Sequence, residues 1–289
     1  MIYFGRAVED LGDDVSKPVV FGESFDIAVV ADGGWSELRS RYFEATRPTY
    51  AGYQAWRFRV ESSAVPGFRA FGEYCSRLSA SRTILLDIVI NKGGDYVMGG
   101  TALACPESDV TKPSSTENRQ MAGLQVDSAD AATILLQQQQ HQFLSNFKRN
   151  FGQHEHGELL RVMETAAARG KITSLPQYEF AARRVVNGHL ILIGDAAHMA
   201  SPRTAAGAHT AVQDGFALYQ TFSRAMTLQR EASVEKVIDE ALREYGPEGT
   251  MRAQALLQRS LTVSAEVVPT DFRRADFVYL PPSLKKKES

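Results

Sequence analysis

Two carboxylates stand where an apolar run gives way to glycine. Asp195 follows Leu190–Ile193 and Gly194 in LILIGDAAH, and Asp32 follows Phe25–Ala31 and precedes Gly33 in FDIAVVADGG. A short, wholly apolar strand suits a sheet covered on both faces, and in such sheets ligands sit beyond the carboxyl ends of the strands. Both aspartates fall at such an end, and a glycine there lets backbone approach a phosphate closely. After Asp195 comes a loop holding Pro202. Beyond it Ala205, Ala208, Ala211, Val212, Gly215, Phe216, Tyr219 and Phe222 recur at helical spacing, so the segment reads as strand, loop, helix. That helix opens on Ala205, Ala206, Gly207 and Ala208. Side chains this small leave the first amides uncovered and give a flat ligand access to the positive end of the helix dipole.

The stretch GDAAHMASPRTAAGAHTAVQDG, residues 194–215, resembles the second flavin-binding motif of the FAD-dependent aromatic hydroxylases, the group typified by para-hydroxybenzoate hydroxylase. TAAG at Thr204–Gly207, in place of a doubled glycine, is most similar to the branch containing 2,6-dihydroxypyridine hydroxylase. A second match is independent of the first: ADGGWSELR, residues 31–39, resembles the family's ADGxxSxVR, with Leu38 where valine is usual. A third is PTYAGYQAWRFRVE, residues 48–61, similar to the branch's YAGYxAWRG at the entry to its substrate-binding sheet, with Phe58 where glycine is usual. The resemblance implies that Asp195 holds the flavin ribityl hydroxyls, that Pro202 lies by the isoalloxazine, that the amides of Gly207 and Ala208 face its pyrimidine oxygen, and that Gly194 and Ala206 belong to the same cofactor site. It implies that Asp32 and Gly33 touch the flavin chain and serve the nicotinamide cofactor.

By the same resemblance the cofactor is FAD, the co-substrate is NAD(P)H, and a small aromatic or heteroaromatic ring is hydroxylated with dioxygen. No catalytic acid or base is assigned. His198, beside the flavin loop, is expected to be structural. Tyr53, Trp56 and Arg57 are candidates for the substrate site. Against this, Tyr50, Tyr53, Trp56 and Phe58 are equally expected to pack a sheet face, and Arg57 to be an exposed strand residue.

Family members begin with a strand, a GxGxxG turn and a helix that receives the FAD pyrophosphate. No GxGxxG occurs in this sequence, which starts inside the family pattern. Either the sequence is part of a longer member, or the protein is a degenerate, flavin-free relative serving as a binding domain. The expected fold is α/β: a truncated FAD/NAD(P)-binding Rossmann-like domain with an inserted, mainly antiparallel β-sheet substrate domain and C-terminal helices. Residues 1–46 would be the remnant of the FAD-binding domain and 47–183 the substrate sheet. Residues 184–289 would return to the flavin-ring part and the helices.

Composition agrees with a globular chain: 289 residues, 44% hydrophobic and 23% charged. A formal net charge of -2 gives no electrostatic case for nucleic acid or an anionic membrane. Cys75 and Cys105 are too few for a disulfide framework. His154 and His156 in QHEHGE lack a third ligand nearby, so no metal is expected. Without a secretory segment or a membrane-length apolar run, a cytoplasmic protein is expected, with a homodimer left open.

Elsewhere, Gly12–Asp14 reads as a hairpin turn, and Arg82–Cys105 as antiparallel strands divided at Gly93-Gly94 and Gly99-Gly100. Asp130–Phe147 reads as a helix with its QQQQ run solvated, and Glu158–Arg169 as a helix capped by Gly170. After Phe222 the chain reads as helical to about Arg243. Pro247 and Gly249 should then break it before a last helix, Met251–Val263.

Overall fold

The computed structural model describes residues 4–43, 47–66, 84–90, 96–104, 140–141, 144–145, 148 and 160–268. Cys75, Cys105, His154, His156 and most of Asp130–Phe147 lie outside the described residues. The chain forms two compact units. One joins Met1–Thr49 to Tyr178–Val263, and the other comprises Tyr50–Gln177 and the stretch from Ser264 onward.

In the first unit, Ala28–Val30 pairs parallel with Leu190–Leu192, in the register Ala28↔Leu190, Val29↔Ile191, Val30↔Leu192. Val186–Asn187 returns antiparallel on the other side of Leu190–Leu192 through a turn at Gly188. That turn needs glycine twice over: its φ is +58°, and a Cβ would lie 2.9 Å from the Val15 carbonyl oxygen. Leu190, Ile191 and Leu192 are wholly buried, as an unbroken apolar run in a covered sheet should be, and they pack with Val30, Leu38, Val185, Leu242 and Tyr245. The N-terminal hairpin pairs Val19–Val20 with Glu23–Ser24. It turns on Phe21 and Gly22, both at positive φ, not at the expected Gly12–Asp14.

The helix Gly207–Leu228 packs on the sheet through Thr210, Asp214, Thr221 and Ala225. Several residues whose spacing marked the helix therefore face away from that core: Val212, Phe216 and Tyr219 are 60–72% exposed. Asp214 is satisfied in the interior on this side, next to Ala217, Leu218 and Phe222, which pack against the core. The next correction is larger. The chain does not break at Pro247 and Gly249; it breaks after Leu228, and a single helix runs Val234–Val267 with Pro247 inside it. An interior proline costs roughly 3 kcal/mol. Burial of Ile238, Ala241, Leu242 and Tyr245 before it, and of Ala253 and Leu256 after it, offsets that cost. Thr250 Oγ1 also donates to the Gly246 carbonyl at 2.8 Å, and Gly249 admits Val185 to a distance that a Cβ would forbid.

In the second unit, Thr49–Glu61 pairs antiparallel with Tyr96–Ala104, which pairs antiparallel with Ile84–Ile90. Trp56, Phe58 and Val60 are buried while Arg57, Arg59 and Glu61 are exposed, the period-two alternation of a half-buried strand. Gly99-Gly100 does not divide strands. Both glycines lie within Tyr96–Ala104, Gly99 paired with Phe58 and Gly100 with Arg57. A residue without a Cβ opposite Phe58 leaves room for the ring where the family pattern has glycine. The 160–168 helix lays Leu160, Val162, Met163 and Ala166 against Trp56, Phe58 and Val60. It ends on Gly170 at φ +62°, with Lys171 N–H donating to Ala166 O at 2.8 Å. Gln140, the last of the QQQQ run, is buried and donates to Ile172 O, contrary to a solvated run.

Candidate functional site

The register of the parallel pair decides where the two aspartates go. Val30 and Leu192 are partners, and Ile193 N–H donates to Val30 O at 3.2 Å. Asp32 and Asp195 therefore leave the sheet side by side at its carboxyl edge, where open α/β sheets bind ligands. Gly33 adopts φ +90° and Gly194 φ +58°, conformations that favour glycine. Open space surrounds Gly33, and both aspartate side chains are exposed.

Arg39 fastens the two turns together. It sits in the helix Glu37–Tyr42, whose cap Ser36 accepts from Arg39 N–H at 2.9 Å. Its guanidinium donates to Gly34 O at 2.7 Å and to Ala196 O at 3.0 Å, and lies 4.1 Å from the Phe180 ring centroid. The residue is 2% exposed. Burial pushes its pKa down, and the charge of Asp32 opposes that shift. Gly34 completes the joint, since a Cβ there would collide with Met199.

Asp214 holds the second turn from below. Its Oδ2 accepts from Gly194 N–H at 3.0 Å and lies 2.7 Å from His198 Nε2, while Oδ1 accepts from Arg252 Nε at 3.1 Å. His198 and Asp214 are each 1% exposed. Burial raises the Asp214 pKa. Opposing it are the hydrogen bond and charge of His198, the Gly194 amide and Arg252, and the net result lies below the ordinary carboxylate value. Asp195 shifts the other way: desolvation raises its pKa, and the charge of His198 pulls it down less strongly. Its side chain stays exposed, yet the packed turn disfavours the ionised form.

The loop from Ser201 is fixed on the last helix: Ser201 N–H donates to Ser260 Oγ, and Ser260 Oγ to Glu179 Oε1, both at 2.6 Å. Pro202 opens a 3-10 turn, Pro202–Thr204, and remains exposed. Ala205 then takes φ +49°, the left-handed region, where most L residues are strained. Its side chain is exposed and packs nothing. Ala205→Gly is therefore expected to stabilise the protein by up to about 1 kcal/mol. A lower thermal midpoint in that variant would contradict the strain argument.

Ala206 is the helix cap and supplies no side-chain hydrogen bond to the amides that follow. Open space surrounds the Cβ position of Gly207. Gly194 lies close by, its Cβ position 3.4 Å from Ala211 Cβ, one turn into the helix. The turn that carries exposed Asp195 thus lies against the first turns of a helix whose start has no side-chain cap. Among the described residues no group of three or more His, Cys, Asp or Glu could hold a metal ion, and no helix is long and apolar enough to cross a membrane.

The substrate candidates do not gather in one place. Trp56 packs among Leu160, Val162 and Met163, whereas Tyr53 packs with Ala102 and Val268 in a separate cluster, and Arg57 is exposed. Sequence reading assigned no role to Arg39, Asp214 or Arg252. Arg39 closes the ADGxxSxVR pattern and Asp214 the GDAAH pattern, so a signal existed for both. Arg252 carried none, because its partner is remote in sequence.

Residues 108–260 match the profile of a family described as FAD binding domain, a span just over half of the chain. The chain is a member of the FAD binding domain family. This FAD binding domain has an α/β fold shared with solved flavoproteins. It is similar to Klebsiella pneumoniae HpxO solved with FAD and uric acid, at 19% identity and a TM-score of 0.58 over 90% of this chain and 57% of that one. It is also similar to 2,6-dihydroxypyridine-3-hydroxylase from Arthrobacter nicotinovorans, at 18% identity and a TM-score of 0.60, covering 90% and 63%. A salicylate hydroxylase complexed with its substrate gives 18% identity and a TM-score of 0.57, covering 90% and 60%. At such identities the likeness speaks to fold, and the chain spans only about three fifths of the length of these proteins. No curated protein sequence matches the chain.

Proposed function

We propose that this chain is the flavin-ring-binding part of an FAD-dependent monooxygenase that hydroxylates a phenol- or hydroxypyridine-like ring with NAD(P)H and dioxygen. What supports this reading is the Gly194–Ala196 turn lying against the Gly207–Leu228 helix, Gly194 beside Ala211, with Asp195 exposed in that turn and no side-chain cap on the helix start. Bound there, FAD would take electrons from the nicotinamide and use them to activate dioxygen. The chain's own residues bind and orient. Asp195 accepts from the hydroxyls of the ribityl chain. The amides at Gly207 and Ala208 present the positive end of the helix to whatever negative charge the ring gathers. Pro202, which is exposed, adds rigid apolar surface beside a planar group. Asp32 and Gly33 face the same edge, where the open space around Gly33 admits a phosphate or sugar.

These residues fit FAD because the amides at the helix start have no side-chain cap and the nearest carboxylate is exposed. The raised pKa of Asp195 makes the test two-sided, since ionised Asp195 costs folding stability at neutral pH. Asp195→Asn is expected to leave the ligand-free melting temperature equal or slightly higher, and to lower FAD affinity at least about tenfold. FAD titration followed by flavin fluorescence reads the affinity, and calorimetry reads the stability. Wild-type chain that stays colourless after incubation with FAD and desalting would favour the flavin-free binding domain instead.

A further inference from the structure

We propose that Arg252 is a positioning residue for the flavin-binding turn, acting through Asp214 on the Gly194–Asp195 peptide. The functional half of this proposal rests on Asp195 being a flavin contact; the structural half does not.

The three donors to Asp214 are not equivalent. Gly194 N–H and His198 Nε2 both address Oδ2, at 3.0 and 2.7 Å, and both belong to the turn that follows Leu190–Leu192. Arg252 Nε addresses Oδ1 at 3.1 Å from the last helix, 38 residues away in sequence. A carboxylate held at one oxygen can pivot about it; a third donor on the other oxygen fixes the carboxylate plane. Arg252 is itself oriented, its Cζ lying 5.4 Å from the ring centroid of fully buried Tyr245. Its side chain is 21% exposed, against 2% for that of Asp214, so the last helix brings a cation to an otherwise enclosed acid.

The consequence reaches Asp195 through geometry. Gly194 is committed to φ +58° while its N–H points at Asp214 Oδ2. The Gly194 peptide in turn sets the direction in which the Asp195 side chain leaves the turn. Without Arg252 the Asp214 carboxylate is free to rotate, the Gly194 hydrogen bond lengthens, and the exposed Asp195 carboxylate loses its fixed direction. Arg252 touches no cofactor in this scheme; it holds the residue that holds the turn.

The test uses the full chain with Arg252→Ala and Arg252→Lys, and Arg224→Ala as a control that removes an exposed pair with Glu244. Hydrogen exchange of the Gly194 amide is measured without ligand, and FAD affinity by fluorescence quenching. The expected result is at least about tenfold faster Gly194 exchange and about tenfold weaker FAD binding in the alanine variant. Both should be partly restored by lysine and unchanged in the control. Gly194 protection equal to wild type in a folded Arg252→Ala protein overturns the proposal. So does faster exchange spread evenly over the sheet and helix, since that is global loosening. If the alanine variant does not fold, Arg252→Gln carries the same readouts. If wild-type protein binds no FAD, the monooxygenase reading fails, and Gly194 exchange alone still decides the role of Arg252.

Discussion

Asp214→Ala is expected to destabilise the protein by about 3 kcal/mol, read as a fall in the urea midpoint at unchanged slope. Truncation leaves the Gly194 amide without its acceptor, and takes from His198 and Arg252 the carboxylate that faces both. Removing one partner of a buried pair costs roughly 3–5 kcal/mol, because the other charge stays behind. The lower end applies here, since Arg252 is 21% exposed and regains water. Acid should expose the same dependence. The Asp214 pKa is depressed in the folded protein, so its contribution is complete above the unfolded value of about 3.9 and is lost as pH falls through the folded value. Asp195 has the opposite shift, and its ionisation penalty is relieved over the acid range. Tyr245 also faces this group, but burial raises its pKa and it stays neutral throughout the acid range. Asp214→Asn should therefore flatten the acid limb of the stability profile. An unchanged acid limb would remove Asp214 from that account.

The second large effect is expected at Arg39. Arg39→Ala should cost about 3 kcal/mol, through two carbonyls left without their charged donor and a void beside Phe180. Arg39→Lys should recover less than half of the loss. An ammonium keeps the charge but must reach Gly34 O and Ala196 O from one nitrogen instead of two, and it cannot stack as a plane over the ring. The variant should also weaken FAD binding, since both aspartate turns hang on this one side chain. Equal denaturation midpoints for wild type and Arg39→Ala would show that the turns are held by other means.

What could be read before folding was the part written in short covalent spacing. The strand Leu190–Leu192, its turn and the helix from Gly207 follow from an apolar run, a glycine and a set of small residues within one stretch. The carboxyl-edge placement of Asp32 and Asp195 follows likewise from two such runs. Features decided by remote packing were not legible. Pro247 stays inside a helix because Ile238, Leu242, Tyr245 and Leu256 are buried on either side of it, which no local propensity records. Which face of Gly207–Leu228 is buried was not legible either, because Asp214, a polar residue, is an interior one when Gly194, His198 and Arg252 surround it. Gln140 is buried because Ile172 O lies within its reach.

The parallel pairing of Ala28–Val30 with Leu190–Leu192 is only three residues long. So short a ladder fixes little by itself, and the two aspartates take their places from the turns beyond it, where Gly33 and Gly194 adopt positive φ. The connection from Ala196 to Ser201 is equally committed, because Ala196 O, His198 and Ser201 N–H each hold a partner elsewhere in the unit. Divergence in this protein is therefore easiest away from the rim and costliest at the side chains that pin it.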